Sequence, residues 1–188
     1  TSPRKRMGQL EQLAEPLPPP AGGAPVSVRT LTLKRERVAA AGLTERIAIK
    51  LDDYRRVRGR FDKIISIEML EAVGHAYYGA FFRQLDRLLA PDGIAVIQTI
   101  TIPDQIYEQY RRGTDWIRAY IFPGGHLPSL GAIQGSLARR TGLVVSRLDD
   151  LADDYATTLR EWRNRFWESE DRVRGLGFDD RFMRTWDF

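Results

Sequence analysis

Cysteine is absent from the 188 residues and histidine occurs only twice. The first absence excludes disulfides, thiolate metal sites and cysteine nucleophiles. The second leaves no convincing metal cluster, so no metal is expected. A cysteine-free chain suits the cytoplasm, which is the expected compartment. No apolar run approaches the length of a membrane-spanning helix, and the basic residues near the N-terminus are not followed by an apolar signal region. Contact with lipid is therefore expected to be peripheral, against the inner face of the membrane. Zinc-finger spacing and aromatic RNA-binding motifs are also missing, which argues against a nucleic-acid partner.

What is present suits one globular domain with a sizeable core: 188 residues, 43% of them hydrophobic. Twenty-nine basic residues against 25 acidic ones leave a formal charge of +4. The basic residues gather in KRER (34–37), RRVRGR (55–60) and REWRNR (160–165). Each cluster alone reads as a solvated helix face; together they also suit a surface of anionic phospholipid. Composition says nothing of oligomeric state.

Residues 1–26 carry LPPP and AGGAP, show no sustained period, and read as disordered or unrelated to the domain at 27–188. Gly22 and Gly23 follow no apolar strand and read as linker. Alternating β-formers predict a strand over Val26–Leu33, then a helix over LKRERVAAAG closed by Gly42, then a short strand over Arg46–Leu51. Phe61–Gly74 is the stretch that organises the rest. Its Ile64–Ile67 run reads as a fully buried parallel strand that stops at an acidic, glycine-closed turn. In open α/β sheets the ligand crevice lies at the carboxyl ends of strands, which puts Glu68 and Glu71 there, with Gly74 freeing the turn. A plainer reading makes Glu68 a helix cap or a solvent-facing side chain.

Apolar residues at three- and four-residue intervals predict an amphipathic helix over Ala76–Ala90, its aromatics in the core. Pro91, Asp92 and Gly93 then predict a turn into the strand IAVIQTITI (94–102), where Gln98 and Thr99 break the apolar pattern. A polar side chain entering a buried strand needs a partner or a ligand. Next come a helix over 104–120, an irregular segment YIFPGGHLPS that reads as a lid or as a packed crossover, and a helix over Leu130–Thr141. LVVSRLDD (143–150) predicts a strand, and DDYATTLREWRNRFW a helix capped by Asp153 or Asp154. The α/β alternation makes a Rossmann-like, mostly parallel sheet flanked by helices.

SIEMLEAVG, followed by Tyr78, Phe81 and Phe82, then LLAPDG, IAVIQTITI and YIFPGGHLPS, resembles in order and spacing the cyclopropane-fatty-acyl-phospholipid synthase family, which includes the mycolic acid cyclopropane synthases. The likeness covers Leu31–Phe188. It implies an S-adenosylmethionine-dependent methyltransferase fold that here lacks the family's N-terminal glycine-rich cofactor loop and its final strands. It implies a substrate, an unsaturated fatty-acyl phospholipid, and residue roles. Glu71, Gln98 and Tyr155 correspond to the catalytic set that holds a bicarbonate base, with Gln98 where the family has histidine. Thr32, Asp53, Tyr54 and Ile67 correspond to the cofactor pocket, where Arg37 replaces a frequent glutamine. Read on their own, Asp52 and Asp53 form a helix cap, Gln98 is a hydrogen-bonded core amide, and Tyr155 points its hydroxyl into water. Two other functions stay open: a silent remnant that has lost the cofactor, and a small-molecule N-methyltransferase.

Overall fold

A computed structural model describes residues 34–188, which divide into two compact units meeting at Val144/Val145. The strand predicted at Val26–Leu33, the glycines read as linker, the segment 1–26 expected to be disordered, and Thr32 lie outside the described residues.

In the first unit, residues 34–40 form α1. The helix closes on Gly42 at φ +65°, with the Gly42 N–H on the Ala39 carbonyl and the Leu43 N–H on the Val38 carbonyl. That crossed pair of bonds is the glycine cap the sequence predicts. A 3₁₀ turn at Tyr54–Arg56 precedes β1 (Phe61–Ile67); α2 (Leu70–Val73) and a 3₁₀ turn at His75–Tyr77 lead into α3 (Tyr78–Leu88). Then follow β2 (Leu89–Gln98), α4 (Asp104–Arg112), a π turn at Ile117–Ile121 and α5 (Leu130–Arg140). The two strands are parallel, with Lys63 opposite Ile94 and Ile67 opposite Gln98. Parallel strands joined by a helical crossover are what the α/β reading requires.

The core lies where α3 and α5 cover one face of this sheet. Leu70, Tyr78, Phe81, Phe82, Leu85 and Leu137 are buried together, with Ile64, Ala95 and Ile97 packed against them from the strands. Residues 78, 81, 82 and 85 fall on one helical stripe, so the same spacing that predicts the helix also fills the core. The opposite sheet face is open: Ile65, Ile67, Ile94 and Val96 are 55–68% exposed. The expectation of a fully buried β1 is thus half right. The strand is parallel, but helices cover only the face that carries Ile64.

Several boundaries also differ from expectation. Residues 46–51 are a turn and extended chain rather than a strand, because no neighbouring strand pairs with them among the described residues. Pro91–Gly93 do not turn the chain; they lie inside β2, in an irregular stretch where Phe61 pairs with Leu89 and Lys63 already pairs with Ile94. Instead of reaching 102, β2 ends at Gln98, where side-chain and loop partners capture the next main-chain donors: Ile100 N–H bonds Glu71 and Ile102 N–H bonds the Pro128 carbonyl. The helix predicted over 104–120 stops at Arg112, because Gly113 is extended (φ −109°, ψ −177°).

In the second unit, α6 (Ala152–Glu168), α7 (Glu170–Gly175) and α8 (Asp180–Asp187) follow one another. Residues 145–150 are not a strand. Asp150, rather than Asp153 or Asp154, accepts from the Ala152 N–H at 2.9 Å; the other two sit inside the first turn, where a carboxylate favours the helix dipole. Met183 is the buried residue here (1% exposed). Phe182 stacks on Phe178 at 4.0 Å and leans on Phe166 and Trp186. Among the described residues no helix is long and apolar enough to cross a membrane.

Candidate active site

Where β1 and β2 end together, the chain presents Glu68, Glu71 and Gln98. Glu68 is the one non-glycine residue with positive φ among the described residues, at +48°. This left-handed conformation costs an ordinary residue about 1–2 kcal/mol. Two bonds to one partner hold it: Glu68 N–H donates to the Gln98 carbonyl at 2.9 Å, and Gln98 Nε2 donates to Glu68 Oε1 at 3.3 Å. Strain kept at a strand end by paired bonds marks a place where side-chain direction matters more than local stability.

Glu71 lies one turn further on, in α2, beside the glycine turn at Gly74 (φ +78°) that the sequence predicts. Its Oε1 accepts from the Ile100 N–H at 2.6 Å, while its Oε2 is buried and has no partner. A buried carboxylate oxygen without a donor is costly and is therefore informative. The Glu71 main-chain carbonyl accepts from His126 N–H at 2.8 Å. Glu71 and Gln98 thus lie at the same end of the sheet: Glu71 bonds the chain two residues beyond Gln98, while the Gln98 side chain bonds Glu68. Tyr155 belongs to the second unit, one turn into α6, where its ring stands 6.4 Å from Trp162, edge to face.

Beside the strand ends, Tyr54, Arg55, Met69, Ala72, Val73 and Tyr77 line a cavity of about 440 Å³. Its size and apolar, aromatic walls suit a flat heteroaromatic ring. Tyr54 is fixed from behind by Phe81, whose ring centroid lies 5.6 Å away, and burial raises the Tyr54 hydroxyl pKa. Asp53 caps the 3₁₀ turn by accepting from Arg55 N–H, and both its oxygens meet the Arg55 guanidinium, which lowers its pKa to about 2. It does not line the cavity. Ile67 ends β1 on the open sheet face, 62% exposed.

Sequence reasoning missed a cluster next to these residues. Both histidines of the chain meet over one phenol: Tyr107 Oη is 2.7 Å from His75 Nδ1 and 3.2 Å from His126 Nε2. Tyr78 donates to the His126 carbonyl and Tyr110 accepts from Leu127 N–H. Burial lowers the pKa of both imidazoles and raises those of the Tyr78 and Tyr107 hydroxyls. The available signal was composition: a chain with two histidines places both beside predicted loops. Among the described residues no group of side chains could hold a metal.

Residues 21–188 match the family described as mycolic acid cyclopropane synthetase. The chain belongs to that family. It is 44% identical over 162 residues to the tuberculostearic acid methyltransferase UfaA1 of Mycobacterium tuberculosis (strain ATCC 25618 / H37Rv), an alignment covering 86% of this chain and 38% of that protein. It is 32% identical over 171 residues to the cyclopropane-fatty-acyl-phospholipid synthase of Escherichia coli (strain K12), covering 88% of this chain and 41% of the synthase. The chain therefore spans about two fifths of these relatives. Among solved structures, mycolic acid cyclopropane synthase CmaA1 complexed with SAH and CTAB superposes with a TM-score of 0.65 at 28% identity, over 82% of this chain and 60% of that one. The fold is accordingly the Rossmann-like α/β fold of S-adenosylmethionine-dependent methyltransferases, present in part.

Proposed function

We propose that the protein moves the methyl group of S-adenosylmethionine onto the double bond of an unsaturated fatty-acyl chain carried by a phospholipid. The observation that carries this reading is the cluster of Glu68, Glu71 and Gln98 at the carboxyl ends of two parallel strands, beside the Tyr54 cavity, in a chain of this family. Bound there, S-adenosylmethionine supplies an electrophilic sulfonium methyl. Tyr54 and Tyr77 would take its adenine between apolar walls, with Ile67 at the open strand end; the resemblance adds Thr32 and Asp53, the latter next to the cavity rather than lining it.

The chain's own contribution is to align the alkene, exclude water and answer a cation that forms on the acyl chain. Carboxylates at the strand ends suit that cation. Glu71 Oε2 is an acceptor without a donor, so it fits a ligand carrying one O–H, as bicarbonate does. Glu71 and Gln98 would hold such a base. An amide cannot titrate near neutral pH as an imidazole does, so Gln98 favours a methyl-branched product over ring closure. The positive excess lies in the first unit, where residues 34–144 carry 17 Lys and Arg against 12 Asp and Glu. This unit would meet the anionic inner leaflet from the cytoplasm.

Calorimetric titration with S-adenosylmethionine tests the cofactor half of the proposal. Saturable heat supports it, and none overturns it in favour of a silent remnant. Mass spectrometry of fatty acids from cells that make the full-length protein tests the substrate half. The expected species are acyl chains one CH₂ unit heavier or methyl-branched; an unaltered acyl profile beside methylated amines would assign the protein to small-molecule N-methylation.

A further inference from the structure

The residues 126–128 form a bracket across the site. On one side His126 N–H donates to the Glu71 carbonyl at 2.8 Å and the Pro128 carbonyl accepts from Ile102 N–H at 2.9 Å. The same short segment therefore ties Glu71 to the chain leaving β2, and Glu71 Oε1 adds the bond to Ile100 N–H. On its other side the bracket is held by Tyr78 through the His126 carbonyl, by Tyr110 through Leu127 N–H, and by Tyr107 through the His126 ring.

The Tyr107 bond has a stoichiometry. A phenol carries one proton, so between two neutral imidazoles it donates to one nitrogen and accepts from the other. The chain His75, Tyr107, His126 is complete only with complementary tautomers. The two ring centroids are 6.3 Å apart; His126 is partly buried, and His75 lies nearer the surface. Cationic groups surround them: Arg111 of α4 faces both, Arg139 of α5 faces His75, and Arg118 of the π turn faces His126, against the single carboxylate of Glu108. A positive charge on both rings would be repelled by these arginines, and it would turn both nitrogens into donors, leaving the phenol proton only the Tyr78 hydroxyl, which itself bonds the His126 carbonyl.

We propose that Tyr107, clamped between His75 and His126, is a positioning residue for Glu71: it fixes the 126–128 bracket, and the Glu71 carboxylate keeps its place only while one of the two imidazoles stays neutral and accepts the phenol proton. The proposal rests on the reading of Glu71 as the carboxylate of the site. Tyr107→Phe removes the hydroxyl and keeps the ring, and His126→Phe removes the nitrogen while leaving the main-chain bonds of residue 126 available.

The test is amide hydrogen exchange and NMR titration on the full-length chain. In either variant the amides of residues 100, 102 and 126 should exchange about tenfold faster or more, while those of Phe82 and Leu85 in the core keep the parent's protection. In the parent these three amides and the histidine ring signals should titrate with one shared midpoint below neutral pH, and in Tyr107→Phe the amides should stop following the rings. Unchanged protection at 100, 102 and 126, acceleration spread evenly through the unit, or amides that ignore the rings in the parent would each overturn the proposal. None of these readings needs turnover, so a chain that transfers no methyl group can still pass, and an active one can still fail.

Discussion

The two units are stabilised in different ways. The first buries a contiguous cluster between α3, α5 and one face of a parallel pair of strands, and it is positively charged over its described residues. The second, residues 145–188, carries 8 arginines against 11 acidic residues, and its longest helix, α6, has no fully buried residue. Aromatic contacts around Phe182 and exposed ion pairs hold it instead: Asp187 accepts from Arg163 Nε and from Trp167 Nε1, both at 2.6 Å. Exposed pairs contribute little and are screened by salt, whereas burial is neither. The first unit should therefore resist salt and tolerate few core changes, and the second should behave in the opposite way.

The sharpest break in this contrast comes from truncating one aromatic in each unit. Phe82→Ala, at a side chain with no exposure, should cost about 3–5 kcal/mol in urea unfolding, whereas Trp186→Ala, already half exposed, should cost about 1–2 kcal/mol. Equal losses would show that the second unit has a core of its own.

Acid should separate the units next. Both histidines lie in the first, and burial holds both folded pKa values below the ordinary 6.5. The unfolded chain takes up protons first as pH falls, so their stabilisation is whole above about 6.5 and is lost as pH drops through the lowered folded values. Between pH 7.5 and 5, exchange protection should fall in the first unit and hold in the second. The melting temperature should drop by about 2–4 °C for each kcal/mol lost. Asp53 and Asp187, whose pKa values are lowered by their arginine partners, begin to lose stabilisation only at more acidic pH.

Smaller still, Asp187→Ala should lower the melting temperature only slightly at low salt, and the difference from the parent should shrink in 1 M salt, on thermal melts followed by circular dichroism. Smallest of all is Glu68→Gly. Relief of about 1–2 kcal/mol of left-handed strain should nearly cancel the lost Gln98 bond and the roughly 0.5–1 kcal/mol entropy cost of glycine. A large destabilisation there would mean that the Glu68 side chain supports the strand ends more than its one bond to Gln98 suggests.

Much of this was legible in the residue pattern. The three- and four-residue spacing of Tyr78, Phe81, Phe82 and Leu85 specifies both a helix and its buried stripe, because one geometry fixes both. Gly42 and Gly74 were legible because positive φ leaves few other choices. The strand expected at 46–51 failed for a general reason: a strand is made by its neighbour, and local β-formers cannot supply one. The end of β2 was misplaced for the same reason, since a glutamate from α2 and a proline carbonyl from the loop take the donors that a longer ladder would use.

By itself the sequence determined the α/β alternation, the parallel pair, the family and the position of Glu71 at a strand end, all of which follow from local periodicity and motif spacing. Tertiary structure alone decided which face of the sheet stays open, that Glu68 bends into a left-handed conformation against Gln98, and that His75 and His126, 51 positions apart, share the hydroxyl of Tyr107. Hydrogen bonds of that kind join residues far apart in the chain, and their geometry exists only after the helices have packed.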